Sequence, residues 1–152
     1  MTTIKLNPVG TVVSDAKNRS DENWGVVVSK IHLHPQYSGA LEGLESFSHA
    51  LVITYMHEAR YDKEKHLQRR PRNMETMPLL GIFSQRGKNR PNPIGVTAVE
   101  IVSVEKDAIT VRGLDMIDGT PVLDIKPYFP QFDRIDAPKI PDWVNSLMKN
   151  YF

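Results

Sequence analysis

The 152-residue chain has no cysteine, which excludes disulfides and cysteine-ligated metals and fits a reducing compartment. No apolar run approaches the roughly 20 residues of a membrane-spanning helix, and the first residues carry no signal-peptide pattern. The expected location is therefore the cytoplasm, with no membrane partner. His32, His34, His49 and His66 show no metal-ligand spacing with one another or with nearby carboxylates, so no metal site is expected. There is no Gly-x-Ser-x-Gly elbow of the kind a hydrolase would use. Internal repeats, low-complexity tracts and linkers are also missing, which leaves a single domain as the expectation.

The composition, 40% hydrophobic and 24% charged, is ordinary for a globular protein. The net charge of +1 is small, but its distribution is uneven. Residues 60–90 carry nine Lys or Arg against three acids, Asp62, Glu64 and Glu75, a local balance of +6 that leaves −5 for the rest. Such a band is the footprint expected of a polyanion site, and equally of a solvated surface.

The apolar runs are short, rich in β-branched residues and closed by Pro, Gly, Asn or Asp, which predicts strands. They fall near Val9–Ser14, Gly25–His34, Ala50–His57, Leu79–Ser84, Ile94–Val104, Ala108–Leu114 and Val122–Lys126. About seven strands in a domain this small predict a mainly β fold, a barrel or folded sheet. In Ile94–Val104 neither face is wholly polar, so that strand is expected to be central. Glu105-Lys106-Asp107 reads as a hairpin connection and Asp118-Gly119 as a second turn. A short helix is predicted within Ala40–Phe47, and another at the end, where Pro141 opens a helical spacing of Ile140, Trp143, Val144, Leu147, Met148 and Tyr151. The division expected is 1–138 for the barrel and 139–152 for a helix of the same domain. Tyr61–Met77 reads as an irregular, mobile basic excursion, either a lid or a surface loop.

Two segments carry the candidate chemistry. Gly81–Gly95 includes Arg86, Lys88 and Arg90, with Pro91 and Pro93 stiffening the backbone around Arg90 and Asn92. A loop with little freedom left to lose suits the binding of an anion or a nucleotide. From Gly113 to Tyr128, period-two geometry puts Val122, Asp124 and Lys126 on one face, so Asp124 and Lys126 can pair. Asp115 and Asp118 flank the turn before this strand, where a carboxylate either accepts from two ribose hydroxyls or caps backbone amides.

These two segments resemble the TsaA/TrmO family. The resemblance is carried by Gly81-Ile82-Phe83, Arg86, Arg90-Pro91-Asn92-Pro93-Ile94-Gly95, Leu114-Asp115 and Asp118-Gly119-Thr120-Pro121-Val122. Asp124-Ile125-Lys126-Pro127-Tyr128, Gly43-Leu44-Glu45, Phe47-Ser48-His49 and His57 add to it. It implies a single-domain, non-Rossmann β-barrel methyltransferase that uses S-adenosylmethionine, works as a homodimer and methylates N6 of N6-threonylcarbamoyladenosine beside the anticodon of tRNA. It also implies cofactor contacts at His57, Glu58, Arg86, Val96 and the stretch Arg112, Gly113, Leu114 and Asp115. Glu58 stands where glutamine is expected, and Val96 where a larger aliphatic residue is usual.

For the acceptor, Lys88, Arg90, Arg69, Arg70 and Arg72 are expected to meet phosphates or the threonyl carboxylate, with Asn92 and Tyr128 on the same side. Asp118, Asp124 and Lys126 are the titratable candidates for a general base or for charge stabilisation, and the choice among them stays open. Two alternatives are carried beside tRNA methylation. One is methylation of a small metabolite or nucleotide, since the chain stops short of the C-terminal domain of longer bacterial members. The other is an RNA-binding barrel without catalysis.

Overall fold

Alternating burial along the β-branched runs sets the architecture. In the computed structural model, which describes residues 1–18 and 20–152, the strands are β1 (Gly10–Val13), β2 (Val28–Leu33), β3 (His49–Tyr55), β4 (Gln68–Arg69), β5 (Leu80–Gly81), β6 (Ile94–Val104), β7 (Ala108–Arg112) and β8 (Pro121–Pro127). Six of them close an antiparallel barrel in the order β1-β2-β7-β6-β3-β8, and β4 and β5 form a separate two-stranded ribbon. Closure leaves the barrel strands without a free edge. Three one- to two-turn helices complete the set: α1 (Lys63–His66), α2 (Pro130–Asp133) and α3 (Asp142–Met148).

The barrel interior is filled by Val12, Ile31, Val52, Val99, Ile109, Val111, Leu114 and Val122, all at most 1% exposed. Each such side chain contributes about 1.5 to 3 kcal/mol relative to leaving it in water. On β6 the interior positions are Gly95, Thr97 and Val99, while Ile94, Val96, Ala98 and Glu100 face out. The expectation of a central strand does not apply in a closed barrel, where β6 pairs with β3 on one side and β7 on the other as every barrel strand pairs on both. The hairpin at Glu105 is present, with the Glu105 amide donating to the Ala108 carbonyl at 2.7 Å.

Three expectations need correction. Leu79–Ser84 is not a barrel strand: Leu80 and Gly81 pair with Arg69 and Gln68, and Ile82–Ser84 then makes a 3-10 turn that buries Ile82. Only Ile82 is buried, while Leu79 and Phe83 stand exposed, and composition alone cannot distinguish such a segment from a strand. The segment around Ala40–Phe47 is a series of turns with a single 3-10 turn at Leu44–Ser46. Pro141 sits at the N-cap of α3 rather than in its first turn, and α3 buries no residue.

The basic excursion is folded. Asp62 caps α1 by accepting from the Glu64 amide, and the His66 Nδ1 accepts from the Asp62 amide at 2.8 Å. The Leu67 carbonyl then receives the Ile82 amide at 3.0 Å, tying the excursion to the loop that precedes β6.

Candidate functional site

The loop before β6 is knitted together by its own polar groups. Buried Gln85 donates from Nε2 to the Arg69 carbonyl at 2.8 Å and to the Leu80 carbonyl at 3.0 Å, locking the β4–β5 ribbon to the loop. Arg90 donates from Nη1 to the Gln85 and Gly87 carbonyls at 3.0 and 3.3 Å. Asn89 Oδ1 accepts from the Arg60 amide at 3.0 Å, and the Pro93 carbonyl accepts from the Met56 amide at 2.8 Å. With these bonds and the prolines, the loop presents an exposed Arg86, whose Nη2 donates to the Val96 carbonyl at 2.7 Å.

The second half of the site leaves β7. Gly113 takes φ +89°, a left-handed turn that a side chain would strain. Leu114 and Met116 then enter the core and hold the half-buried Asp115 between them. The Asp115 carboxylate receives two hydroxyls: Thr97 donates to Oδ1 and Tyr151 donates to Oδ2. Burial, and next the negative charge of Asp115, push the Tyr151 phenol well above its ordinary pKa, so it is a donor at any physiological pH.

Arg86 and Asp115 therefore converge on consecutive residues of β6, Val96 and Thr97. His57 follows β3 at the same end of the barrel, next to Met56, whose amide bonds Pro93. Its Nδ1 is buried with no hydrogen-bond partner among the described residues. Glu58 is exposed beside it. Arg112 points elsewhere: its Nη1 meets Glu100 Oε2 at 2.8 Å across the β6–β7 ladder.

The other predicted residues are placed as follows. Asp118 accepts from the Ser14 amide at 2.9 Å on Oδ1 and from Lys17 Nζ at 2.8 Å on Oδ2. The Lys17 bond first, then the Ser14 amide, lower its pKa, so it is an ionised loop cap. Asp124 and Lys126 do form the anticipated pair, 2.7 Å apart at an exposed position, and it raises the Lys126 pKa. Asp124 lines an open groove of about 380 Å³, bordered by Val9, Leu33, Tyr37, Leu44 and Phe47, which none of the predicted cofactor contacts reaches. Tyr128 packs edge-on against His49.

The arginines of the basic band are largely engaged within the chain. Arg70 donates to the Met77 carbonyl, and Arg72 meets Asp21 through both its backbone carbonyl and, at 3.7 Å, its carboxylate. Arg69 keeps its Nε buried with no hydrogen-bond partner among the described residues. The Asn92 carbonyl accepts from the Ile94 amide at 2.7 Å, and Lys88 lies in the same loop.

Sequence reasoning missed Thr97 and Tyr151 as site residues. A threonine at an interior position of β6, flanked by Gly95 and Val99, was the available signal, since a buried hydroxyl needs a partner. Tyr151 had none, because its phenol meets Asp115 across 36 residues.

Residues 19–134 match the tRNA-methyltransferase O N-terminal domain family, and the chain belongs to that family. It is 36% identical over 135 residues to an S-adenosyl-L-methionine-binding protein of Archaeoglobus fulgidus, covering 86% of this chain and 94% of that one. To the human tRNA (adenine(37)-N6)-methyltransferase it is 41% identical over 104 residues, 68% of this chain and 23% of that one. A crystal structure of TrmO from Pseudomonas aeruginosa superposes with a TM-score of 0.74 at 29% identity, over 91% of this chain and 61% of that one. The chain thus spans about three fifths of the solved TrmO.

Proposed function

We propose that the chain is an S-adenosylmethionine-dependent methyltransferase that methylates N6 of N6-threonylcarbamoyladenosine beside the anticodon of tRNA. The observation that carries the reading is the convergence of Arg86 and Asp115 on Val96 and Thr97. A guanidinium and a carboxylate hydrogen-bonded to adjacent residues of one strand suit a ligand with both an anionic group and vicinal hydroxyls. The buried, unpartnered His57 Nδ1 at the same barrel end fits a further polar contact to such a ligand. Arg86 would hold the cofactor's carboxylate, Asp115 its ribose, and His57 and Val96 would line the pocket. When bound, the cofactor supplies an electrophilic methyl group whose reactivity is its own. The chain contributes orientation, and a loop braced by Gln85 and Arg90 is built for that.

Of the three titratable candidates, Asp118 has both oxygens bonded and a depressed pKa, which suits a cap rather than a proton acceptor. Asp124 and Lys126 pair with each other on a groove apart from the cofactor contacts, so the transfer is assigned to neither.

The protein acts as a cytoplasmic homodimer in this reading, with residues 1–138 as the barrel and 139–152 as its appended helical arm. The support is an apolar ladder on the outside of the barrel, where Leu51, Ile53 and Tyr55 of β3 stand opposite Ala98, Val96 and Ile94 of β6. An uncovered strip of this kind marks an association surface, and it runs into the Arg86 site through Val96.

The engagement of Arg70, Arg72 and Arg90 within the chain favours a second reading, a small nucleoside-containing acceptor. Mass spectrometry of tRNA nucleosides from cells with and without the gene separates the two. One methyl gained on threonylcarbamoyladenosine is expected, and an unchanged nucleoside profile supports the small acceptor.

A further inference from the structure

We infer that the last residues of the chain form a strap that closes on Asp115 and competes with the ribose of the cofactor, an inference that rests on the cofactor reading above. Asp115 accepts two hydroxyl donors, one on each oxygen. Two adjacent ribose hydroxyls present the same pair of donors to a carboxylate. Thr97 is buried within β6 and stays with the strand. Tyr151 arrives on an arm, so its hydroxyl is the one that can be displaced.

The arm is weakly held. From Arg134 to Lys149 no residue is buried, and α3 contributes nothing to the core. Attachment is concentrated in three residues: the Asn150 and Tyr151 carbonyls accept from the Asn23 and Trp24 amides at 2.8 and 2.7 Å, and the Phe152 backbone lies over Gly25. A Cβ at residue 25 would stand 2.7 Å from the Phe152 carbonyl carbon, so the glycine is what lets the strap seat. A segment with few buried apolar contacts and a handful of exposed hydrogen bonds opens locally at small free energy. The arm lies beyond residues 19–134, the span matched by the family's N-terminal domain model.

Closure reduces the apparent affinity for any ligand that needs the Asp115 oxygens, by the fraction of molecules that are closed. The test is calorimetry with S-adenosylmethionine on the full chain, on Tyr151→Phe and on Gly25→Ala. The first variant deletes only the hydroxyl, and the second unseats Phe152 without touching Asp115. Both are expected to bind about tenfold more tightly, the gain when a mostly closed site is opened. In the wild type, ligand is expected to speed hydrogen exchange at the Asn23 and Trp24 amides, which the strap covers. Equal or weaker binding by Tyr151→Phe, or exchange that is unchanged or slower with ligand bound, overturns the strap and makes Tyr151 a fixed wall of the pocket. Absence of heat from all three proteins instead overturns the cofactor reading, and the strap with it.

Discussion

The Thr97 hydroxyl donates to Asp115 Oδ1, joining the interior of β6 to the turn that leaves β7, 18 residues apart. This bond orients a half-buried carboxylate whose other side-chain donor among the described residues is Tyr151. Thr97→Val keeps the shape of the side chain and deletes the donor. A loss of about 1.5 to 3 kcal/mol in stability is expected, the range for hydrogen bonds to charged groups. Cofactor affinity is expected to fall as the carboxylate loses its orientation. Denaturant titration and calorimetry measure the two effects, and wild-type values in both would remove Thr97 from the site.

Arg86 and Arg90 lie four residues apart and do different work. Arg86 is exposed and touches one carbonyl at the site, so Arg86→Ala is expected to change stability by less than about 0.5 kcal/mol and to lower cofactor affinity tenfold or more. Arg90 braces the loop through Gln85 and Gly87. Arg90→Ala is expected to destabilise by roughly 1 to 3 kcal/mol. A thermal melt of Arg90→Ala that overlays the wild type would refute the brace.

Asp118 ties the end of β1 to the turn before β8, and its folded pKa lies below the ordinary 3.8 because of Lys17 and the Ser14 amide. A carboxyl depressed on folding contributes stability at pH values above its unfolded pKa and loses it as pH falls through the folded one. Part of the acid destabilisation of the wild type below about pH 4 is therefore expected to disappear in Asp118→Asn. Urea midpoints between pH 2 and 6 check this, and parallel curves for the two proteins would contradict it.

Ile94 is 40% exposed and closes the apolar ladder opposite Tyr55. Ile94→Lys puts a charge on each side of a two-fold contact, and like charges brought together repel. Sedimentation velocity is expected to show a dimer for the wild type and a monomer for the variant. A variant that still sediments as a dimer moves the interface elsewhere.

The barrel strands could be read from local pattern because a β-branched run that alternates between core and water is a short-range signal. The rigid arginine loop was equally legible, since proline acts on its immediate neighbours. The turn aspartates were half legible. Two fates were open to Asp115 and Asp118, and neither could be chosen without knowing that Lys17 and Ser14 reach Asp118 while Thr97 and Tyr151 reach Asp115. The apolar run at Leu79–Ser84 misled because a short ribbon followed by a 3-10 turn that buries only Ile82 presents the same composition as a strand.

Composition and periodicity were thus enough for a small, mainly β fold, a barrel or a folded sheet, with a stiff cationic loop and an acidic turn, each a consequence of residues close together in the chain. Which carboxylate caps a loop and which receives two hydroxyls, which arginines are bound up in bracing the loop, and that the last residues of the chain return to lie on Asp115 all depended on the folded chain. Those outcomes come from pairings between distant segments once the barrel closes, and no local pattern encodes them.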